Sequence, residues 1–248
     1  MSVQVKTRSF AGAVCIQTVY QMPEGARITK APKREPRPRF KSDEEREEHK
    51  RRISRDHCAM LINANFSPSS YFHTLTFNNE SEIYDFEDAR TIRDKYWEKV
   101  RYRYPDAKMM LFMGRGKSTA RIHFHMITEG VPPEVIRKLW IWGTVIRSSP
   151  LREHNKDSVT GKDHGRDYTN LANYCFDHWT PEQGKGRRYK CTKNLQQPER
   201  EKPTVCARHY DAEHPPIPPK GYLYTGDCYI TTYGYMRFRY IVDPHMRK

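Results

Sequence analysis

The chain has 248 residues, a length that suits one sizeable domain with extensions better than two full domains. Lys and Arg number 44 against 30 Asp and Glu, a formal net charge of +14, while 36% of residues are hydrophobic and 12% aromatic. No run of about 18 apolar residues exists, which excludes a membrane-spanning helix, and the excess of cations points to nucleic acid as the partner.

The N-terminal segment lacks the apolar stretch of a secretory signal. The six cysteines are scattered without a C-x-x-C pair, so reduced intracellular thiols are expected and a structural zinc site is not.

In chain order, residues 1–41 read as a basic extension with one short β-like run, Gly12 to Tyr20, and an extended basic arm from Arg27 to Lys41. Ser42-Asp43-Glu44-Glu45 fits a capping box before a charged helix over 43–64, whose thin apolar stripe places it at a domain edge. Tyr71 to Phe77 is the first clear strand. Tyr71, His73, Leu75 and Phe77 share one face, and Phe72, Thr74 and Thr76 share the other. The hydroxyl face suits a site, and His73 on the apolar face reads as a satisfied core histidine.

Asp85 caps a helix over 86–103 with Ala89, Ile92, Tyr96 and Val100 at helical spacing. Lys108 to Met113 is an interior strand, and Gly114 to Thr119 turns it back into an antiparallel partner. Pro132-Pro133 opens a helix with Gly143 at its end, and residues 147–166 read as a loop. A helix over 168–179 follows. In it Tyr174 and His178 stand four apart and Asp177 three from Tyr174, so these three share a face that Tyr168 does not. Gly184 to Lys190 is glycine-rich and cationic, suited to a phosphate backbone. Tyr222 to Val242 reads as a β-hairpin around Gly226-Asp227. Its tyrosines at 222, 224, 229, 233 and 235 either stack on bases or pack an edge hairpin.

The densest chemistry lies in Arg121-Ile-His-Phe-His-Met126. Strand alternation puts His123 and His125 on one face, about 7 Å apart along the backbone, and anchors Ile122, Phe124 and Met126 in a core. Two imidazoles so placed suit one divalent cation. A same-face His pair, a Thr-bearing strand, a helix presenting Tyr174 and strong basicity together describe metal-assisted phosphoryl transfer to tyrosine. A phenol of pKa near 10 attacks poorly unless a cation draws charge from the phosphate.

On these segments the chain resembles the HUH (His–hydrophobic–His) superfamily of single-strand DNA endonucleases, and within it the rolling-circle replication initiators of phages and plasmids. Tyr71 to Phe77 resembles the first motif, Gly114 to His125 the glycine hairpin and metal pair, and Asp167 to Trp179 with Gly184 to Asn194 the tyrosine helix and the segment after it. The resemblance covers roughly 67–200 and implies an α+β fold with a central antiparallel, RRM-like sheet and packed helices. With the readings above, the chain divides into a basic extension (1–41), a charged helix (42–66), an endonuclease domain by resemblance (67–212) and a C-terminal β-hairpin tail (213–248). The resemblance also implies Mg²⁺ or Mn²⁺ on His123 and His125, attack by Tyr174 on single-stranded origin DNA, and a 5′-phosphotyrosine product with a free 3′-hydroxyl. Many relatives carry Tyr-x-x-Lys where Asp177-His178 stands here. Either residue replaces that lysine, or His178 supplies a third metal ligand. The implied setting is the cytoplasm of a bacterial host, with a separate helicase and polymerase and no membrane. A mobilisation relaxase or single-strand transposase would share the chemistry. A non-catalytic basic nucleic-acid-binding protein would make the His pair structural.

Overall fold

The computed structural model describes residues 2–25, 40, 42–78, 83, 85–116, 121–143, 146–178, 183, 188–231 and 233–245. The fold is α+β, helices with antiparallel sheets, as the sequence predicts. The expected division at 41, 66 and 212 is not the one found. One compact unit gathers Met1–Ala64, His154–Tyr168 and Gln197–Lys248, and the other gathers Asn65–Glu153 and Thr169–Gln196. Strand pairing between the chain's two ends produces this division.

In the first unit, β1 (Ser2–Ala11) and β2 (Val14–Pro23) pair along their whole length, so residues 2–23 form a hairpin and not an extension with one short run. The expected arm at 27–41 lies outside the described residues apart from Phe40. The C-terminal β10 (Tyr222–Ile230) and β11 (Met236–Val242) are no tail: β11 pairs with β2 and completes the sheet. Short β8 (Glu199–Arg200) and β9 (Thr204–Val205) pair with β1. Gly226-Asp227 marks a bulge in β10 and not the hairpin turn; the chain reverses later, where Thr231 N–H donates to the Tyr235 carbonyl. The hairpin tyrosines are packed. Tyr222 meets Phe10, Tyr224 meets Tyr240, Tyr233 meets His49 and Tyr235 meets Tyr20, with ring centroids 5.0–5.8 Å apart. The Tyr229 hydroxyl donates to Asp56 at 2.6 Å. They serve the packed-hairpin reading.

Helix α1 (Asp43–Asn65) starts as the capping pattern requires, with Ser42 Oγ accepting from Glu45 N–H at 3.2 Å. It is not merely an edge helix, because Cys58, Ala59, Leu61 and Ile62 in its last turns are buried. The thin stripe suffices since it is confined to those turns, while the charged first half is solvated.

The second unit is a five-stranded antiparallel sheet in the order β6 (Ile146–Pro150), β3 (Tyr71–Thr76), β5 (Ile122–Glu129), β4 (Lys108–Arg115), β7 (Tyr189–Cys191). Strand β6 takes up the first residues, 147–150, of the expected 147–166 loop; their Arg-Ser-Ser-Pro sequence carries little apolar alternation, so pairing with β3 makes it a strand. One sheet face carries Leu75, Met109, Leu111, Ile122, Phe124 and Met126 into a core shared with α2 (Phe86–Arg103) and α3 (Pro133–Leu139). Asp85 caps α2 by accepting from Glu87 N–H at 2.8 Å, a contact of about 1 kcal/mol. Tyr96 is fully buried and its hydroxyl donates to the Ile136 carbonyl at 3.1 Å. Helix α3 ends at Leu139, short of the predicted Gly143. Gly143 is needed for another reason: a Cβ there would lie 1.7 Å from the Thr76 carbonyl oxygen.

His73 sits in this sheet as a satisfied core residue. It is fully buried, with Nδ1 2.8 Å from Ser148 Oγ and Nε2 2.9 Å from Thr128 Oγ1. Burial pushes its pKa from 6.5 down to about 4. His73→Phe strands both hydroxyls and should cost about 1–3 kcal/mol at neutral pH. Between pH 6.5 and about 4 the unfolded ring takes a proton that the folded ring refuses, so wild-type stability falls with decreasing pH through that window. The stability gap between wild type and His73→Phe therefore narrows as pH drops, measured by urea denaturation at a series of pH values. A gap that widens toward acid would show a protonated, partnered histidine instead.

Candidate metal centre

The opposite face of the five-stranded sheet carries a different set of side chains. Residues directly paired across antiparallel strands share a face. The pairings Arg147–Thr74, Thr74–His125, His125–Phe112 and Phe112–Tyr189 draw one row across all five strands. The next row holds Thr76, His123 and Gly114. Thus Thr74 and Thr76 line the site face and Leu75 the core face, as alternation predicts. Helix α4 (Thr169–Asp177) packs over β4 on the site face, burying Ala172, Cys175 and Phe176.

His123, His125 and His178 form a group whose ligand nitrogens all lie within 4.8 Å of one another. Strand alternation supplies the first two and the end of α4 supplies the third. Gly114 makes the third possible: a Cβ at that position would stand 2.6 Å from His178 Cβ. His178 Nδ1 lies 2.6 Å from the Tyr174 carbonyl. A carbonyl only accepts, so Nδ1 carries the proton and Nε2 presents a lone pair. His125 Nδ1 lies 3.3 Å from Thr74 Oγ1, and His123 Nδ1 lies 3.5 Å from the Arg121 carbonyl. The carbonyl contacts favour a proton on Nδ1 of His178 and His123, while the Thr74 hydroxyl can either donate to or accept from His125 Nδ1.

The Nε2 atoms of His123 and His125 lie 3.1 Å apart. That separation is short enough for an N–H···N hydrogen bond when one Nε2 carries the proton. It matches the roughly 2.9–3.4 Å separating two nitrogens that each bind one ion at about 2.1 Å. Burial lowers the pKa of His123, with a smaller contribution from nearby His178. It pushes His125 down to about 3, with His123 and His178 adding to the effect. The strand pair is neutral at pH 7 and presents itself as ligands without losing protons. The three histidines could together hold a metal ion.

The nucleophile expected from the sequence lies beside this group. The Tyr174 ring centroid is 4.3 Å from that of His178 and 5.1 Å from that of His125, and Phe72 stacks on His125 at 5.3 Å. Tyr174 is 50% exposed. Partial burial raises its pKa, with the Cys175 thiol adding to the shift. Asp177 is exposed and stands outside the three-histidine group, whereas His178 belongs to it. Tyr168 is buried, and its N–H donates to Asn63 Oδ1 at 2.9 Å. From the cationic segment after α4, residues 184–187 lie outside the described residues, and Arg188 rests over the Phe176 ring at 4.8 Å.

No carboxylate joins the group among the described residues. An all-imidazole donor set suits Mn²⁺ and later transition metals better than the hard, oxygen-preferring Mg²⁺. Mn²⁺ should therefore bind more tightly than Mg²⁺ in calorimetric titration of metal-free protein. His178→Ala should weaken Mn²⁺ by about 100-fold or more, since loss of an outer partner alone costs 10–100-fold. Unchanged affinity in His178→Ala would leave only the strand pair as ligands.

Comparison with family models, curated proteins and solved structures returns no match for this chain. What defines the molecule is the antiparallel α+β fold and a three-histidine group able to hold a metal beside an open tyrosine. Sequence reasoning missed Phe72 as the ring against His125, Gly114 as the space for His178, and Arg147 on the site face. Alternation from Thr74 already contained the first; the other two depend on which elements pack together.

Proposed function

We propose that this protein nicks and rejoins single-stranded DNA at a replication origin through a 5′-phosphotyrosine intermediate, in the manner of HUH rolling-circle initiators. The observation that carries the reading is the half-exposed Tyr174 ring against His125 and His178, two of three imidazoles converging on one point. The net charge of +14 supports a polyanionic substrate. Among the described residues no helix is long and apolar enough to cross a membrane.

In the reaction, the Tyr174 oxygen bonds to the phosphorus of the scissile phosphodiester and the bond from phosphorus to the 3′ oxygen breaks. The proton lost by the phenol balances the proton gained by the departing 3′-hydroxyl. A divalent ion on the imidazoles, when bound, withdraws charge from the phosphate oxygens. His123, His125 and His178 would hold that ion while adding no negative charge. Thr74 and Phe72 hold the His125 ring at its edge and face. The His178 Nδ1–H bond to the Tyr174 carbonyl ties the third ring to the nucleophile's own backbone. Because the bond energy is kept in the phosphotyrosine link, the 3′-hydroxyl can later reverse the step without an added energy source. On this reading unwinding and synthesis fall to a helicase and a polymerase, in a bacterial cytoplasm.

The test is incubation with single-stranded origin-like DNA and Mn²⁺, followed by denaturing electrophoresis. A covalent protein–DNA band that requires the metal and disappears in His123→Ala is expected. Free cleavage products with no covalent band would remove the tyrosine mechanism.

A further inference from the structure

Helix α4 packs over β4, on one side of the site face, and the β3–β6 side of that face carries Thr74, Thr76, Arg147 and Ser149. Two observations fix the direction of Arg147. It pairs directly with Thr74, which faces His125, and the adjacent Ser148 turns to the other face to meet His73 at 2.8 Å. Alternation then directs Arg147 and Ser149 to the site face, where both are exposed. No hydrogen bond or ion pair occupies the Arg147 guanidinium among the described residues. Other arginines of this unit are engaged, such as Arg93 with Asp94 at 2.8 Å and Arg115 over Phe86 at 4.8 Å.

We propose that Arg147 on the edge strand β6 seats the phosphate next to the scissile one, so that the single strand crosses the sheet from the imidazole group over Thr74 to the β6 edge. The proposal rests on the function proposed above and adds the substrate path. Strands in a sheet stand about 4.8 Å apart, so β6 lies roughly 10 Å from β5, a distance that the long arginine side chain shortens toward the neighbouring linkage. A planar, permanently charged guanidinium with open donors matches the oxygens of a phosphodiester in bidentate fashion. Thr74 between the two strands offers a hydroxyl and no charge, so the cation at the edge meets no competing carboxylate in its row.

The experiment measures equilibrium binding of a mixed-sequence single-stranded oligodeoxynucleotide across a salt series, in the Tyr174→Phe background so that no covalent product forms. Arg147→Ala should weaken binding at low salt about tenfold or more and reduce the slope of log affinity against log salt by about 0.7, the value for one lost single-strand phosphate contact. Arg147→Lys should restore the slope but not the full affinity. An unchanged slope and affinity in a folded Arg147→Ala protein would overturn the path. Because this readout is binding alone, it stays distinct from the function itself, which fails if the unaltered chain forms no covalent adduct.

Discussion

Tyr174→Phe should abolish covalent attachment to DNA while leaving metal affinity and thermal stability unchanged. The substitution removes one oxygen and keeps the ring, whose edge contacts with His178 and His125 at 4.3 and 5.1 Å are what it shares with the metal-binding group. Among the described residues no hydrogen bond occupies the Tyr174 hydroxyl, so nothing buried is left unsatisfied when it goes. The stability change should stay within about 0.5 kcal/mol, as for surface substitutions. Nicking should fall by a factor of about 10⁴ or more, the scale of removing a nucleophile from an otherwise complete site. Quantified adduct and cleavage assays with matched Mn²⁺ titrations check both halves. An adduct that persists in Tyr174→Phe would assign the nucleophile to another residue.

Gly114→Ala should damage the metal centre from the opposite side of the sheet row, without altering any ligand. The new Cβ would meet His178 Cβ at 2.6 Å and the His178 carbonyl oxygen at 3.0 Å. These atoms are fixed to the backbone after α4, so no side-chain rotation relieves the clash and the chain at His178 must lift from the sheet. Overpacking of this kind costs about 1–3 kcal/mol. The sharper consequence is chemical: a displaced His178 leaves two ligands where there were three. Gly114→Ala should therefore lower Mn²⁺ affinity nearly as far as His178→Ala does. The double variant should be no worse than either alone, because both act through one imidazole. Additive losses in calorimetry would mean that Gly114 acts on the strand pair, through its partner His123, and not on α4.

Much of the second unit was legible because its signals are local. Alternation over Tyr71–Thr76 and Ile122–Glu129 assigns each side chain to a face once one face is known to be apolar. It correctly separates core His73 from site-facing Thr74, His123 and His125. Helical spacing likewise brings Tyr174 and His178 together four residues apart. The misreadings share a different cause. Strand β6 has almost no apolar periodicity and exists because β3 offers it a partner. Residues 2–23 looked like an extension because their hairpin completes a sheet only with strands from the far end of the chain. Gly226 looked like a turn because a positive-φ glycine serves a bulge equally well.

The sequence by itself determined the antiparallel α+β character, the pairing of His123 with His125 on one strand face, and the i, i+4 relation of Tyr174 and His178, since these follow from backbone periods of two and 3.6 residues. Only the tertiary structure decided that α4 lies on the His face of the sheet, because no local period specifies which of two sheet faces a later helix covers. That packing, admitted by the missing side chain of Gly114, turns a histidine pair into three converging imidazoles and sets the tyrosine beside them.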